Sequence, residues 1–167
     1  MKTIELTGKE EKTLQMHNPK NIGRLLNMWK RYFDNWANEQ LFEHGYSYFK
    51  MGYMPFIMNI SNTGSTNNEI ALKAKVTKQA MSKVVKELLQ HGIIRVEKHA
   101  DDKRASLIFL TPKGKKLVVD TKSCVIVLSE EYKEIVGTKN FDIMIECMFK
   151  IVQYHEAKNE GKLLQVF

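Results

Sequence analysis

The chain is poor in cysteine and in long apolar runs, and each scarcity excludes a class of protein. Its 167 residues include two cysteines, Cys124 and Cys147, which is too few for a disulfide framework and favours a reducing cytoplasm. Near-apolar stretches such as Cys124–Leu128 are far too short to span a bilayer. The opening residues "MKTIELTGKE" lack the apolar core and cleavage site of a secretory signal. We therefore expect a cytoplasmic protein with no membrane partner.

Motifs for catalysis and for metal binding are also missing from the sequence. No P-loop, dinucleotide-binding GxGxxG or nucleophile-elbow GxSxG occurs. No HExxH or CxxC spacing occurs, and the histidines are scattered: His17, His44, His91, His99 and His155. These absences predict that the protein is not an enzyme and needs neither cofactor nor metal.

Positive charge is concentrated in the middle third of the chain. The net charge is +7, and residues 61–116 carry twelve Lys/Arg against five Asp/Glu. Residues 1–60 carry eight Lys/Arg against six Asp/Glu, and residues 117–167 carry six Lys/Arg against eight Asp/Glu. Such a distribution is expected if the middle third faces a polyanion, although a solvated lysine-rich surface would give the same count.

The first third reads as a polar arm followed by a long helix. Residues 1–17 show little periodicity, and Asn18 followed by Pro19 is typical of a helix start. The helix should continue to about Glu43 and stop near Gly45, with one apolar stripe: Ile22, Leu26, Trp29, Phe33 and Trp36. A short buried helix is predicted at Met54–Ser61.

The middle third predicts two helices joined by a tight turn. Thr66 and Glu69 have the spacing of a capping box at the start of a helix of about nine residues. Thr77 follows as a second N-cap, and Gly92 sits where a helix-ending glycine belongs. The second helix, Thr77–Gln90, should bury one stripe: Ala80, Met81, Val84, Val85, Leu88 and Leu89.

Beyond Gly92 the apolar period changes from helical spacing to alternation. Ile93–Lys98 and Ala105–Leu110 read as two strands of a hairpin. Thr111 and Pro112 then cap a helix that ends at Gly137, and a last helix is expected from about Lys139 to His155. The predicted fold is mainly α with a small β-hairpin wing: a winged helix-turn-helix flanked by N- and C-terminal helices.

This order of elements predicts contacts with DNA. The exposed face of the second helix can enter a major groove, with Gln79, Ser82 and Lys83 as candidate base readers. Candidate phosphate contacts are Thr77, Lys78 and Lys86, and Thr66 is a further candidate DNA-binding residue. Lys103 and Arg104 at the hairpin tip can reach the adjacent minor groove. The alternative is a solvated face beside an exposed Asp102–Arg104 ion pair, and Arg95 is expected to be structural.

The run "TNNEIALKAKVTKQAMSKVVKELLQHGIIRVEKHADDKRASLIFLTPKGKKL" resembles the winged helix-turn-helix core of MarR-family transcription regulators. Its most specific features are Asp102-x-Arg104 and Leu110-Thr111-x-x-Gly114, which match the wing signature of that family. The family's Glu-Leu-Ala stands here as Glu69-Ile70-Ala71. The residue-by-residue match covers about a third of the chain, and it implies that Asp102 orients Arg104 in the minor groove.

The resemblance further implies a homodimer that represses transcription from a near-palindromic operator. The chain would then divide into a flexible arm (1–17), an N-terminal dimerisation helix (18–45), a DNA-binding lobe (46–116) and C-terminal dimerisation helices (117–167). A monomer with a thick helical cap is the alternative assembly. A winged helix that binds another protein rather than DNA is the alternative function.

Family members commonly release DNA when a small aromatic ligand binds or when a cysteine is oxidised. Candidate pocket residues here are Trp29, Trp36, Tyr48 and Tyr53, although aromatic residues at helical spacing also build ordinary cores. Cys124 and Cys147 read as inert buried thiols. The sensing cysteine of the oxidation-responsive subgroup lies in the N-terminal helix, where this sequence has none.

Overall fold

A computed structural model describes residues 7–8, 20–98 and 106–159. It is mainly helical with one small antiparallel sheet, which confirms the predicted fold class. In chain order the elements are α1 (Ile22–Glu43), a 3-10 turn (Met51–Tyr53), α2 (Met54–Ile57), β1 (Ser65–Thr66), α3 (Asn67–Lys73), α4 (Lys78–Gln90), β2 (Ile94–Lys98), β3 (Ser106–Leu110), α5 (Pro112–Val136) and α6 (Thr138–Asn159). The chain divides into two compact units, Met1–Pro55 and Phe56–Phe167.

In the first unit, α1 begins later than its sequence predicts. The side chain of Asn21 accepts a hydrogen bond from the amide of Arg24 at 3.1 Å and is the N-cap. The predicted start at Asn18-Pro19 is therefore wrong for α1, and those two residues lie outside the described part of the chain. The predicted end is confirmed, because the helix stops at Glu43 and Gly45 has a φ of +81°.

Most of the apolar stripe of α1 is not buried within the chain. Ala37 and Leu41 are buried, whereas the side chains of Ile22 and Leu26 are 69% and 54% exposed. Trp29, Phe33 and Trp36 on the same stripe are half-buried. The first half of α1 thus presents an apolar surface that the described residues of its own unit do not cover.

Helix α2 is shorter than the predicted Met54–Ser61. It ends at Ile57, where bonds from Asn59 to Phe56 and from Ile60 to Ile57 tighten the chain into turns with a three-residue spacing. The predicted burial is confirmed for Phe56 and Ile57, which are 6% and 1% exposed.

In the second unit, three strands form a sheet in the order β1-β3-β2. Strands β2 and β3 pair antiparallel from Ile94 opposite Leu110 to Lys98 opposite Ser106. β1 pairs with β3 on its other side, with Ser65 opposite Ile108. The hairpin is therefore as predicted, with β2 beginning one residue late, whereas β1 was not predicted.

The core of the second unit lies between the helices and the inner face of this sheet. Ile70 of α3, Met81 of α4 and Leu117 of α5 are at most 1% exposed, as is Ile93 just before β2. Each such side chain contributes about 1.5–3 kcal/mol on burial. Four elements are thereby held against one another by a few large apolar residues.

The predicted inward stripe of α4 is too wide. Met81, Val84 and Leu88 are buried, but Ala80 and Leu89 are exposed. At 100° per residue the buried stripe is centred on Met81, Val84, Val85 and Leu88, so residues 80 and 89 fall at its two edges. The exposed arc of α4 is correspondingly wider than the sequence suggested.

The second unit ends with two long helices joined at Gly137, whose φ is +81°. Phe141 of α6 is 7% exposed, and its ring centroid lies 6.4 Å from that of Tyr132 on α5. Lys133 lies over the same ring at 5.9 Å, and its hydrogen bond to Glu130 raises the pKa of Lys133. None of the described helices is long and apolar enough to cross a membrane.

Beyond Phe141, helix α6 is largely uncovered. Its exposed apolar side chains occupy more than half of its circumference: Ile143, Ile145, Met148, Phe149, Ile151, Val152 and Tyr154. Helix α5 adds Val119, Ile126, Val127, Ile135 and Val136. A helix that is apolar over most of its circumference is ordinarily buried, so α6 needs a covering surface that the described residues of its own unit do not supply.

Candidate nucleic-acid interface

The helix-turn-helix begins with the predicted capping box. The amide of Thr66 donates to Oε2 of Glu69 at 2.7 Å, and the amide of Glu69 donates to Oγ1 of Thr66 at 3.3 Å. The hydroxyl of Thr66 also lies 3.0 Å from Oε2 of Glu69. Thr66 therefore has a demonstrated structural role at the start of α3, and its hydroxyl proton is already engaged.

A second cap starts α4. The turn passes through Lys75, which has a φ of 54°, and Oγ1 of Thr77 accepts from the amide of Ala80 at 3.2 Å. The Thr77 hydroxyl uses only its acceptor capacity in this bond, so its proton remains available to an outside acceptor. Both predicted caps are thus confirmed, and α3 packs against α4 across the turn.

The exposed arc of α4 carries the predicted DNA-contacting residues. Gln79, Ser82, Lys83 and Lys86 are all exposed, on the side opposite the buried Met81, Val84 and Leu88. No ion pair within the described part of the chain engages Lys83 or Lys86. The helix backbone at Lys78 is described but its side chain is not. A polar and basic face of about two helical turns therefore projects from the unit.

The wing adjoins this helix through strand β2, which contacts α4. Strand β2 of the wing is described as far as Lys98, and β3 is described from Ser106 onward. The tip between them, including Asp102, Lys103 and Arg104, lies outside the described residues.

The Thr111-x-x-Gly114 motif joins the end of α4 to the start of α5. The hydroxyl of Thr111 donates to the carbonyl oxygen of Gly92 at 2.6 Å. It also lies 3.1 Å from the carbonyl oxygen of Ile93. The same oxygen accepts from the amide of Gly114 at 3.1 Å and caps α5. Lys113 adds a bond from Nζ to the carbonyl of His91 at 3.0 Å. This motif therefore has a structural explanation within the chain.

The outer face of the wing carries a stacked group that the sequence did not reveal. Arg95 and Phe109 are directly opposite in the β2–β3 register, and the guanidinium carbon lies 4.4 Å from the ring centroid. Arg95 also forms an ion pair with Glu97. The expected structural role of Arg95 thus has specific partners, which could be found only once the register was known.

The candidate effector residues all lie in the first unit. Trp29 and Trp36 are half-buried and seven residues apart on α1, and the ring of Trp36 lies 5.9 Å from that of Phe33. Tyr48 and Tyr53 follow α1, each with an edge-on aromatic neighbour, Tyr46 at 6.4 Å and Phe49 at 5.8 Å. These contacts suit a core as well as a pocket, so the effector site stays a prediction.

The cysteines differ from the expected pair of buried thiols. Neither forms a disulfide within the described part of the chain, and Cys124 is half-buried whereas Cys147 is exposed. Cys147 lies on α6, most of whose described side chains are exposed, and that accounts for its exposure. Among the described residues, no group of three or more His, Cys, Asp or Glu side chains could hold a metal ion.

Comparison with known proteins identifies the type of fold. A model of the MarR family matches residues 53–105, which include α3, α4 and β2. The comparison with curated proteins finds no match. Solved structures match over most of the chain, with sequence identities of 20% or less among those compared below.

Three of these structures show how far the likeness extends. A MepR–DNA complex from S. aureus is 20% identical, with a TM-score of 0.64, over 80% of this chain and 96% of that one. A mutant MarR from E. coli is 19% identical, with a TM-score of 0.65, and the match covers 81% of this chain and 99% of that one. A MarR-family regulator from Rhodococcus sp. is 19% identical, with a TM-score of 0.65, and the match covers 82% of this chain and 96% of that one.

The chain therefore has a winged helix-turn-helix fold. More particularly, the family match and the solved structures confirm the resemblance to the MarR family that the sequence carries.

Proposed function

We propose that the protein is a sequence-specific regulator of transcription that binds double-stranded DNA as a homodimer. One observation carries the proposal. Helix α4 buries Met81, Val84 and Leu88 and exposes a polar, basic face, and it does so beside a wing whose sequence is strongly charged. A helix of this kind is the element that enters the major groove in helix-turn-helix proteins.

The candidate DNA-contacting side chains of α4 divide by their chemistry. Gln79, Ser82 and Lys83 lie in its first two turns, where they would read base edges; an amide suits adenine and an ammonium suits guanine. Thr77, Lys78 and Lys86 would contact phosphates. Thr66 contributes to DNA binding by fixing the start of α3, because its hydroxyl proton already serves Glu69.

The wing supplies the second contact. Arg104 would enter the minor groove next to the major groove occupied by α4, with Lys103 on the phosphates and Asp102 orienting the guanidinium. This assignment rests on the sequence motif and on the two described strands that lead toward the tip.

The dimer would form through the terminal helices, residues 18–45 and 117–167. Support comes from the apolar residues that α1, α5 and α6 leave exposed, because soluble monomers rarely expose large contiguous apolar patches. A two-fold dimer would present two recognition helices to two half-sites. Residues 46–116 would form the DNA-binding lobe, and residues 1–17 a flexible arm.

Regulation in this proposal follows the family pattern. The protein would act as a cytoplasmic repressor, and a small aromatic effector would bind near Trp29, Trp36, Tyr48 and Tyr53 and release the DNA. The half-buried state of both tryptophans is compatible with access by such a ligand.

Selection of duplexes from a random library, followed by footprinting, tests the proposal. We expect enrichment of a near-palindrome whose half-sites are centred about 10 bp apart, or a multiple of that distance. Gln79→Ala should enrich a different sequence, whereas Gln90→Ala, an exposed glutamine three turns further along α4, should enrich the same one. If no duplex is enriched above the random pool, the protein is not a sequence-specific regulator.

A further inference from the structure

Four residues brace the wing against the loop that precedes α3. Phe109 of β3 carries the guanidinium of Arg95 on its ring, 4.4 Å from the centroid, and Arg95 pairs with Glu97. The same ring lies against Gly64, where an added Cβ would be 2.6 Å from a ring atom. Gly64, Arg95, Glu97 and Phe109 are called the wing brace.

The wing brace reaches the helix-turn-helix through a short stretch of chain. Gly64 is followed by β1, whose Ser65 pairs with Ile108, and then by the cap of α3 at Thr66. The hydroxyl of Ser61 donates to the carbonyl of Gly64 at 2.6 Å and holds the other side of the loop. A ring seated on Gly64 therefore fixes the outer face of the wing relative to the start of α3.

The positive charge of Arg95 is balanced by the neighbouring carboxylate of Glu97. Its side chain and that of Glu97 are each about half exposed, at 50% and 53%. Because the guanidinium is stacked on Phe109 and paired with a carboxylate, it presents little uncompensated charge to a phosphate. Stacking of a planar guanidinium on an aromatic ring is a geometry that lysine does not reproduce.

We propose that Arg95 is a positioning residue that clamps Phe109 against Gly64 and so aims the wing, without binding phosphate itself. A two-stranded hairpin is weakly held unless it packs on other elements, and β1 with the wing brace provides that packing. The inference rests on the proposed function, because the wing must be aimed at the minor groove that Arg104 enters.

A double-mutant cycle between Arg95 and Arg104 on the selected operator tests the inference. Arg95→Lys keeps the charge but removes the planar stack, and we expect DNA binding to weaken about three- to fivefold. In an Arg104→Ala background the same change should have little further effect, because the wing no longer has its groove contact to lose. Any change that Arg95→Lys makes to the salt dependence of binding should likewise disappear in the Arg104→Ala background.

Two further variants separate positioning from charge. Glu97→Gln raises the net positive charge by one, so simple electrostatics predicts tighter binding, whereas loss of the clamp predicts weaker binding that depends on Arg104. Lys98→Gln removes one charge from the same strand and leaves the wing brace intact; it should show no coupling to Arg104. Thermal unfolding of each variant identifies any that fail to fold.

Additive losses for Arg95→Lys and Arg104→Ala would overturn the inference and leave the proposed function standing. So would unchanged binding by Arg95→Lys, or tighter binding by Glu97→Gln. If the wild-type protein enriches no operator, the proposed function fails and the inference fails with it.

Discussion

A Cβ atom placed on Gly114 would lie 2.1 Å from the carbonyl oxygen of Ile93. Helix α5 therefore starts in direct contact with the backbone that follows α4, and only glycine permits this approach. The neighbouring Thr111 accepts from Gly114 and donates to Gly92, so one motif caps α5 and fixes the end of α4.

Replacing Gly114 with alanine should destabilise the fold. The methyl group must push apart two backbones that cannot yield locally, and overpacking of this kind costs about 1–3 kcal/mol or more. Urea unfolding measures the loss. Gly52→Ala is the matched control, because an added Cβ there meets nothing within 4 Å; an equal loss in both variants would contradict the backbone contact.

Removing the capping box should lower stability, with any effect on DNA affinity following from that loss. Thr66→Ala deletes the oxygen that accepts from the amide of Glu69, at a cost of about 1 kcal/mol. Thr66→Ser keeps the oxygen and should retain most of the stability. Comparison of unfolding free energies with operator affinities checks this; lost affinity at unchanged stability in Thr66→Ala would instead indicate a direct phosphate contact.

Gln79 should control the base preference at one operator position. Loss of a bidentate amide–adenine contact costs about 1–3 kcal/mol and relaxes specificity at that position only. Competition binding with operators altered at each position in turn measures the effect of Gln79→Ala. Uniform weakening across all of these operators would mean that Gln79 does not read a base.

A charge on the apolar side of α6 should break the dimer. Ile151 is 53% exposed within the chain, and Ile151→Glu would bury a carboxylate at the proposed interface, an energetically costly change. Gln153→Glu adds the same charge on the polar side of the same helix. Light scattering should give a monomer for the first variant and a dimer for the second; a monomeric wild-type protein would contradict the proposed assembly.

Local chemistry explains which elements the sequence predicts well. The caps at Thr66, Thr77 and Thr111 each depend on residues within three positions, and all three are confirmed. The predicted start of α1 was wrong because Asn18 and Asn21 are both competent caps, and the sequence pattern does not choose between them.

Features that depend on distant pairing could not be predicted in this way. Strand β1 is two residues long and exists only because Ser65 and Thr66 pair with β3. The stack of Arg95 on Phe109 requires the exact register of two strands. Ala80 and Leu89 lie at the edges of the buried stripe, where periodicity alone does not decide burial.

The dependence of operator affinity on salt, measured by fluorescence anisotropy, tests the central claim most directly. Wild type should bind tightly, with affinity falling steeply as salt rises, because several phosphates are neutralised. Lys86→Gln should make the slope of log affinity against log salt concentration shallower by roughly two. Each phosphate contact contributes about 0.9 to this slope, and a dimer has two copies of Lys86. Lys122→Gln, an equal loss of charge on α5, should leave the slope unchanged. If DNA fails to bind even at low salt, or if both lysine variants change the slope equally, α4 is not the DNA-binding helix.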